Sequence, residues 1–157
     1  MTAGAGARGG GGPRREGRRM RIKVLLVDDE KDFVEMLSER LTARGLSVRT
    51  ALSGEEAMER IKEESPDVVL LDVQMSGKDG IEVLRDIKHG RPLIEVIMLT
   101  GHASLESGLE GMKIGAFDYI MKPTSIDDLV EKINQAYEKK IAHEGKIKNA
   151  LEEDLIE

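Results

Sequence analysis

The sequence predicts an α/β fold, a five-stranded parallel sheet covered by helices on both sides. Two observations predict it. Short apolar runs alternate strictly with amphipathic stretches from Met20 onward, and the predicted strands are nearly continuous apolar runs, as expected of strands buried on both faces.

The first run, "KVLLV" at residues 23–27, is rich in strand formers. Residues 30–44 then place Phe33, Val34, Leu37 and Leu41 at helical spacing before Gly45 stops them. "LSVRTA" (46–51) alternates as a strand. Ser53 caps the next helix, which carries Ala57, Met58 and Ile61, with Glu56 at the capping-box position. Pro66 ends the connection, and "VVLL" (68–71) is the third strand. Ile81, Val83, Leu84 and Ile87 supply a helix closed by "HGRP", and "IEVIML" (94–99) is the fourth strand. Residues 103–114 read as a weak helix and "FDYIM" (117–121) as the fifth strand. A last helix runs from 125 to about 140, with Ile126, Leu129, Ile133 and Ala136 on one face.

Composition limits the function classes. At 157 residues, with 39% hydrophobic and 34% charged, the chain fits one soluble domain. It has no apolar stretch near the roughly 20 residues of a membrane span, no secretory leader pattern and no cysteine. Disulfides and thiolate metal sites are therefore excluded, and a cytoplasmic location is expected. The net charge of -6 divides into +4 on residues 1–20, where five arginines face Glu16, and -10 on the rest. An acidic body argues against direct DNA binding. Residues 1–20 are read as a disordered Gly/Arg-rich tail, 21–140 as the domain, and 141–157 as a C-terminal helical extension or tail. In that last segment Ile141, Ile147, Leu151 and Leu155 fall near helical spacing around Gly145, a face that can pair with a partner or with its own copy in a homodimer.

In open parallel sheets, ligands bind beyond the carboxyl ends of the strands. Those ends carry Asp28 and Asp29 after the first strand, Asp72 after the third, Thr100 after the fourth and Lys122 after the fifth. Three carboxylates gathered there repel one another unless a cation sits among them. An oxygen-only donor set suits magnesium. Thr100 as a hydrogen-bond donor and Lys122 as a compact positive charge suit a developing phosphoryl group, and Asp72 is then placed as the nucleophile forming an acyl phosphate. Singly, each residue has an ordinary reading: an aspartate after a strand is usually a turn former or helix cap, and a lone lysine a solvated side chain. The conjunction carries the argument.

"VLLVDDE", "VVLLDVQM..KDG", "VIMLTGHAS" and "GAFDYIMKP" follow one another in an order and spacing that resemble the receiver domain of two-component response regulators, over residues 21–140. The resemblance implies a flavodoxin-like sheet of order 2-1-3-4-5 and a phosphoprotein with Asp72 as phosphoacceptor. It implies a Mg2+ ion bound by Asp28, Asp29, Asp72 and the backbone carbonyl of Gln74. Thr100, the amide of Gly101 and Lys122 would hold the phosphoryl oxygens, beside a cis Lys122–Pro123 bond. The donor would be a phosphohistidine on a sensor histidine kinase or a histidine phosphotransfer protein. Thr100 and Tyr119 would form the switch, altering the face of helix four, strand five and helix five that a downstream protein reads. Gln74 and His102, each two residues past a site residue, would tune the lifetime of the phosphoryl group. The role is that of a signalling domain that assists its own phosphorylation and dephosphorylation, not of an enzyme with a separate substrate.

Departures from the family pattern are few. Ser76 stands where a proline is common, and a looser loop is expected there. Gly108 and Gly111 lie inside helix four, where each costs about 1 kcal/mol against alanine; either the helix is labile, or the glycines permit close packing on a neighbour. Residues 138–157 are too short for a helix-turn-helix or ATPase output domain, so a stand-alone receiver is expected, with a receiver cut from a longer transcriptional regulator as the other reading. A haloacid-dehalogenase-like phosphatase is disfavoured because Gln74 stands where such enzymes carry a second acid. A mononucleotide-binding enzyme is disfavoured because no phosphate-cradling glycine loop follows the first strand.

Overall fold

The computed structural model describes residues 14–15, 18–19, 21–75, 79–101 and 105–156. Ser76 and His102 lie outside the described residues, as does most of the Gly/Arg-rich tail. Within that tail the backbone of Arg14–Arg15 pairs antiparallel with Arg18–Arg19.

The strands are β1 (Lys23–Val27), β2 (Ser47–Ala51), β3 (Val68–Leu71), β4 (Glu95–Thr100) and β5 (Asp118–Met121). The helices between and after them are α1 (Lys31–Ala43), α2 (Gly54–Glu63), α3 (Gly80–Gly90), α4 (Leu105–Ile114) and α5 (Ile126–Ile156). The sheet is parallel throughout, in the order β2-β1-β3-β4-β5. This is the flavodoxin-like topology, with its reversal of strand order between β1 and β3.

Alternation along the strands divides the core between two faces. Leu25, Val27, Val69, Leu71, Val96 and Met98 point toward α2 and α3. Val24, Leu26, Val68, Leu70, Ile97 and Leu99 point toward α1 and α5, where Val34, Leu37, Leu41, Leu129, Ile133 and Ala136 meet them. Every residue of β3 and β4 is buried, which explains why these strands read as apolar runs.

Local chemistry sets the helix ends. Gly45, at φ +93°, stops α1, and Gly115, at φ +124°, follows α4; both are backbone conformations that glycine adopts without a Cβ penalty. Ser53 Oγ accepts from the Glu56 amide at 3.0 Å, and Glu56 accepts from the Leu52 amide at 2.8 Å. A capping box not read from the sequence opens α3: Asp79 accepts from the Ile81 amide at 3.1 Å, while Glu82 accepts from the Asp79 amide at 3.3 Å.

Two elements had two readings in the sequence. First, α5 runs unbroken through Gly145 to Ile156, so residues 141–156 continue the helix. Its middle is tied down. Lys140 Nζ bonds Asp67 Oδ1 at 3.0 Å and Glu144 Oε2 at 2.8 Å, and Tyr137 and Ile141 pack on the core. Second, the glycines of α4 are accounted for by close packing. A Cβ on Gly108 would lie 2.9 Å from Tyr119 Cδ2, and one on Gly111 would lie 2.6 Å from Met98 Sδ.

Candidate functional site

Register builds the site. Val27 pairs with Leu71, so the next residue on each strand, Asp28 and Asp72, emerges side by side at the rim where strand order reverses. The Asp72 amide donates to Val27 O at 2.9 Å and the Asp28 amide to Ala51 O at 3.2 Å, extending the ladder one rung to hold both backbones. One carboxylate oxygen from each of Asp28, Asp29 and Asp72 lies within 4.8 Å of the other two. On the other flank Thr100 pairs with Met121, and the Lys122 amide donates to Thr100 O at 2.6 Å. The Lys122–Pro123 peptide is cis.

Most of the rim side chains are buried. Asp28 and Thr100 are 1% exposed and Asp72 is 7% exposed. Burial pushes the Asp72 carboxyl up to about 6; the Asp28 charge adds to the rise, and the Lys122 ammonium opposes it. Lys122 Nζ bonds Asp28 Oδ2 at 2.6 Å and lies 3.7 Å from Glu30 Oε1. The other Asp28 oxygen accepts from the Glu30 amide at 2.9 Å. The Gln74 amide points at Asp72 Oδ1, 3.4 Å away, and Gly101 lies beside the Lys122 stem.

The donor chemistry fits a hard divalent cation: three carboxylates, two of them buried, with no histidine or cysteine among them. Gathering them without a cation costs electrostatic energy, and the raised Asp72 carboxyl registers part of that cost. Asp28, Asp29, Asp72, Thr100, Gly101 and Lys122 all reach one rim. Tyr119 lies one strand-length back, packed beneath α4 against the α2–α3 side of the core.

Two contributors escaped the sequence reading. Gly80 opens α3 directly against the chain after β3, where a Cβ would stand 2.7 Å from both Val73 Cα and Val73 O. The "KDG" in the motif is thus a requirement for close backbone approach. Phe33 places its ring 4.1 Å from Lys122 Nζ. Its apolar character was legible, but a contact across 89 residues of chain has no local signal.

Comparison with known proteins points the same way. Residues 24–134 match the family model of the response regulator receiver domain. The chain is 38% identical over 111 residues to the DNA-binding transcriptional regulator NtrC of Klebsiella pneumoniae, covering 71% of this chain and 24% of the relative. It is 38% identical over 122 residues to the transcriptional regulatory protein ZraR of Escherichia coli K12, covering 78% and 27%. It therefore spans about a quarter of the length of these curated relatives. Among solved structures, a CheY-like receiver domain protein from Methanospirillum hungatei JF-1 superposes with a TM-score of 0.76 at 31% identity, covering 79% of this chain and 99% of that one. NtrX from Brucella abortus superposes with a TM-score of 0.73 at 31% identity, covering 85% and 29%. Rim chemistry, sheet order and the match over residues 24–134 converge: the chain belongs to the response regulator receiver domain family.

Proposed function

We propose that this chain accepts a phosphoryl group on Asp72 from a phosphohistidine of a sensor histidine kinase or histidine phosphotransfer protein. The observation that carries the reading is the gathering of Asp28, Asp29 and Asp72 at one rim, with the Lys122 ammonium against Asp28. An Asp72 carboxylate oxygen attacks phosphorus, the P–N bond to the donor imidazole breaks, and the bonding pair leaves with the nitrogen. A magnesium ion held by Asp28, Asp29, Asp72 and the Gln74 carbonyl would neutralise charge on the transferring oxygens. Lys122, Thr100 and the Gly101 amide would stabilise the same oxygens as they leave the donor. The burial of Asp72 strips part of the hydration from the nucleophile.

Output follows through shape. Tyr119 under Gly108 couples β5 to α4, so rearrangement of Thr100 on phosphorylation would reach the face formed by α4, β5 and α5, read by a downstream protein. Gln74, whose backbone amide faces Asp72, would set access of water to the acyl phosphate, and His102 would share that role. On this reading the chain is a cytoplasmic signalling module that assists its own phosphorylation and dephosphorylation. Among the described residues no helix is long and apolar enough to cross a membrane. A second output reading, as the receiver part of a longer regulator, is favoured by the alignment with whole NtrX, which covers 85% of the chain against 73% for the isolated NtrX receiver.

Intact mass after incubation with Mg2+ and acetyl phosphate tests the central claim. Wild type should gain one phosphoryl group and Asp72→Ala none. A wild type that stays unlabelled beside an active control receiver would overturn it.

A further inference from the structure

The Lys122 ammonium has three donors and no acceptor. Its carboxylate partner is Asp28, at 2.6 Å, and its second acidic neighbour is Glu30, 3.7 Å away with a side chain 70% exposed. The lysine side chain is itself only 15% exposed, so the ammonium has surrendered much of its hydration. What faces it from α1 is the ring of Phe33, 4.1 Å from Nζ to centroid. Phe33 packs against the α1–α5 side of the core. With Leu37, Leu99, Pro123 and Ile126 it lines a cavity of about 170 Å³ beside the lysine. The ring is half-buried against the core, whereas Glu30 is a solvated side chain.

The phosphoacceptor reading, on which this inference rests, asks Asp28 and Lys122 to part, the carboxylate toward a cation and the ammonium toward phosphoryl oxygens. A lysine on a flexible four-carbon stem that loses its carboxylate partner is free to follow other acids around it, the solvated Glu30 at 3.7 Å among them. An aromatic face attracts the ammonium without taking a hydrogen bond, so all three donors stay available. A partly desolvated contact of this kind also outweighs an exposed ion pair.

We propose that Phe33 is a positioning residue for phosphoryl transfer, its ring face holding the Lys122 ammonium at the rim while Asp28 changes partner. The role needs a ring at position 33, and apolar bulk alone does not supply it.

The test compares wild type, Phe33→Leu and Phe33→Tyr in the full chain. The rate of labelling by acetyl phosphate in Mg2+ is measured, together with the NMR shift of the Lys122 ε-methylene protons in metal-free protein. The expected result is an upfield ring-current shift in wild type and Phe33→Tyr that vanishes in Phe33→Leu, with labelling slowed about three- to tenfold only in Phe33→Leu. Equal rates for wild type and Phe33→Leu would overturn the proposal. So would a Phe33→Tyr as slow as Phe33→Leu, which would reduce position 33 to a packing role. A wild type that never labels removes the phosphoacceptor reading and the proposal together, whereas a labelled wild type with Phe33→Leu unchanged removes the proposal alone.

Discussion

The carboxyl of Asp72, 7% exposed and raised to about 6 by burial and by the Asp28 charge, opposes folding whenever it is ionised. Its folded pKa exceeds the ordinary value of 3.8, so its contribution to stability is fully present below pH 4 and is lost as pH rises through 6. Asp72→Asn should therefore stabilise the metal-free chain at pH 8 by up to about 3 kcal/mol, a tenfold change in an ionisation constant being worth about 1.4 kcal/mol. The gain should shrink between pH 6 and 4 in urea titrations. A gain independent of pH would place the strain elsewhere. The Lys122–Asp28 pair makes the opposite contribution. With side chains 15% and 2% exposed, removing the lysine alone leaves a buried charge uncompensated, and Lys122→Met should cost about 3 kcal/mol in metal-free protein. The double variant Asp28→Asn/Lys122→Met should recover most of that loss, a coupling readable from a thermodynamic cycle. The rim residues Asp28, Asp29, Asp72, Thr100 and Lys122 were legible in the sequence because each follows an apolar run that marks a strand end. The partnerships among them were not, since Lys122 and Asp28 meet across 94 residues through a fold that no local window contains.

At the level of elements, strand bounds could be read to within about a residue because period and burial agree along each strand. The glycines could not be assigned, because a missing side chain leaves the same mark whether it loosens a helix or admits a neighbour. Their surroundings distinguish them. Next to Gly80 the obstacles are backbone atoms of Asp72 and Val73, which cannot swing aside, so Gly80→Ala should destabilise the fold by about 1–3 kcal/mol and slow labelling of Asp72 by displacing its loop. Next to Gly111 the obstacle is the flexible end of Met98, and Gly111→Ala should be near neutral, the helix gain of about 1 kcal/mol offsetting the repacking. Gly108→Ala meets the Tyr119 ring edge. It should turn that ring outward without loss of labelling, an outcome visible in the Tyr119 ring shifts by NMR; an unmoved ring would show that α4 gives way instead.

Across the whole molecule, chemistry gathers at one end of the sheet and the anchoring of α5 at the other. There Lys140, with a side chain 13% exposed, bridges Asp67 and Glu144, and Asp67 also accepts from the Lys23 amide at 2.9 Å. Burial alone would depress the Lys140 ammonium, but the hydrogen bonds to Glu144 and Asp67 hold it above the ordinary lysine range. This clamp therefore persists through neutral pH and is lost only as pH rises through that elevated value. Gly145 hid the continuity of α5 from the sequence: it reads as a breaker, yet nothing lies within 4 Å of where its Cβ would stand. Gly145→Ala should consequently slow amide exchange over residues 141–156 by several-fold, corresponding to about 1 kcal/mol of helix propensity, while Asp67→Asn should speed it. The clamp falls close to the middle of α5, 14 residue steps from Ile126 and 16 from Ile156, giving arms of about 21 and 24 Å at the helical rise. Above the clamp Leu129, Ile133 and Ala136 seat α5 in the core, whereas residues 145–153 below it are exposed; the helix is thus a cantilever, built into the domain on one side of Lys140 and overhanging on the other.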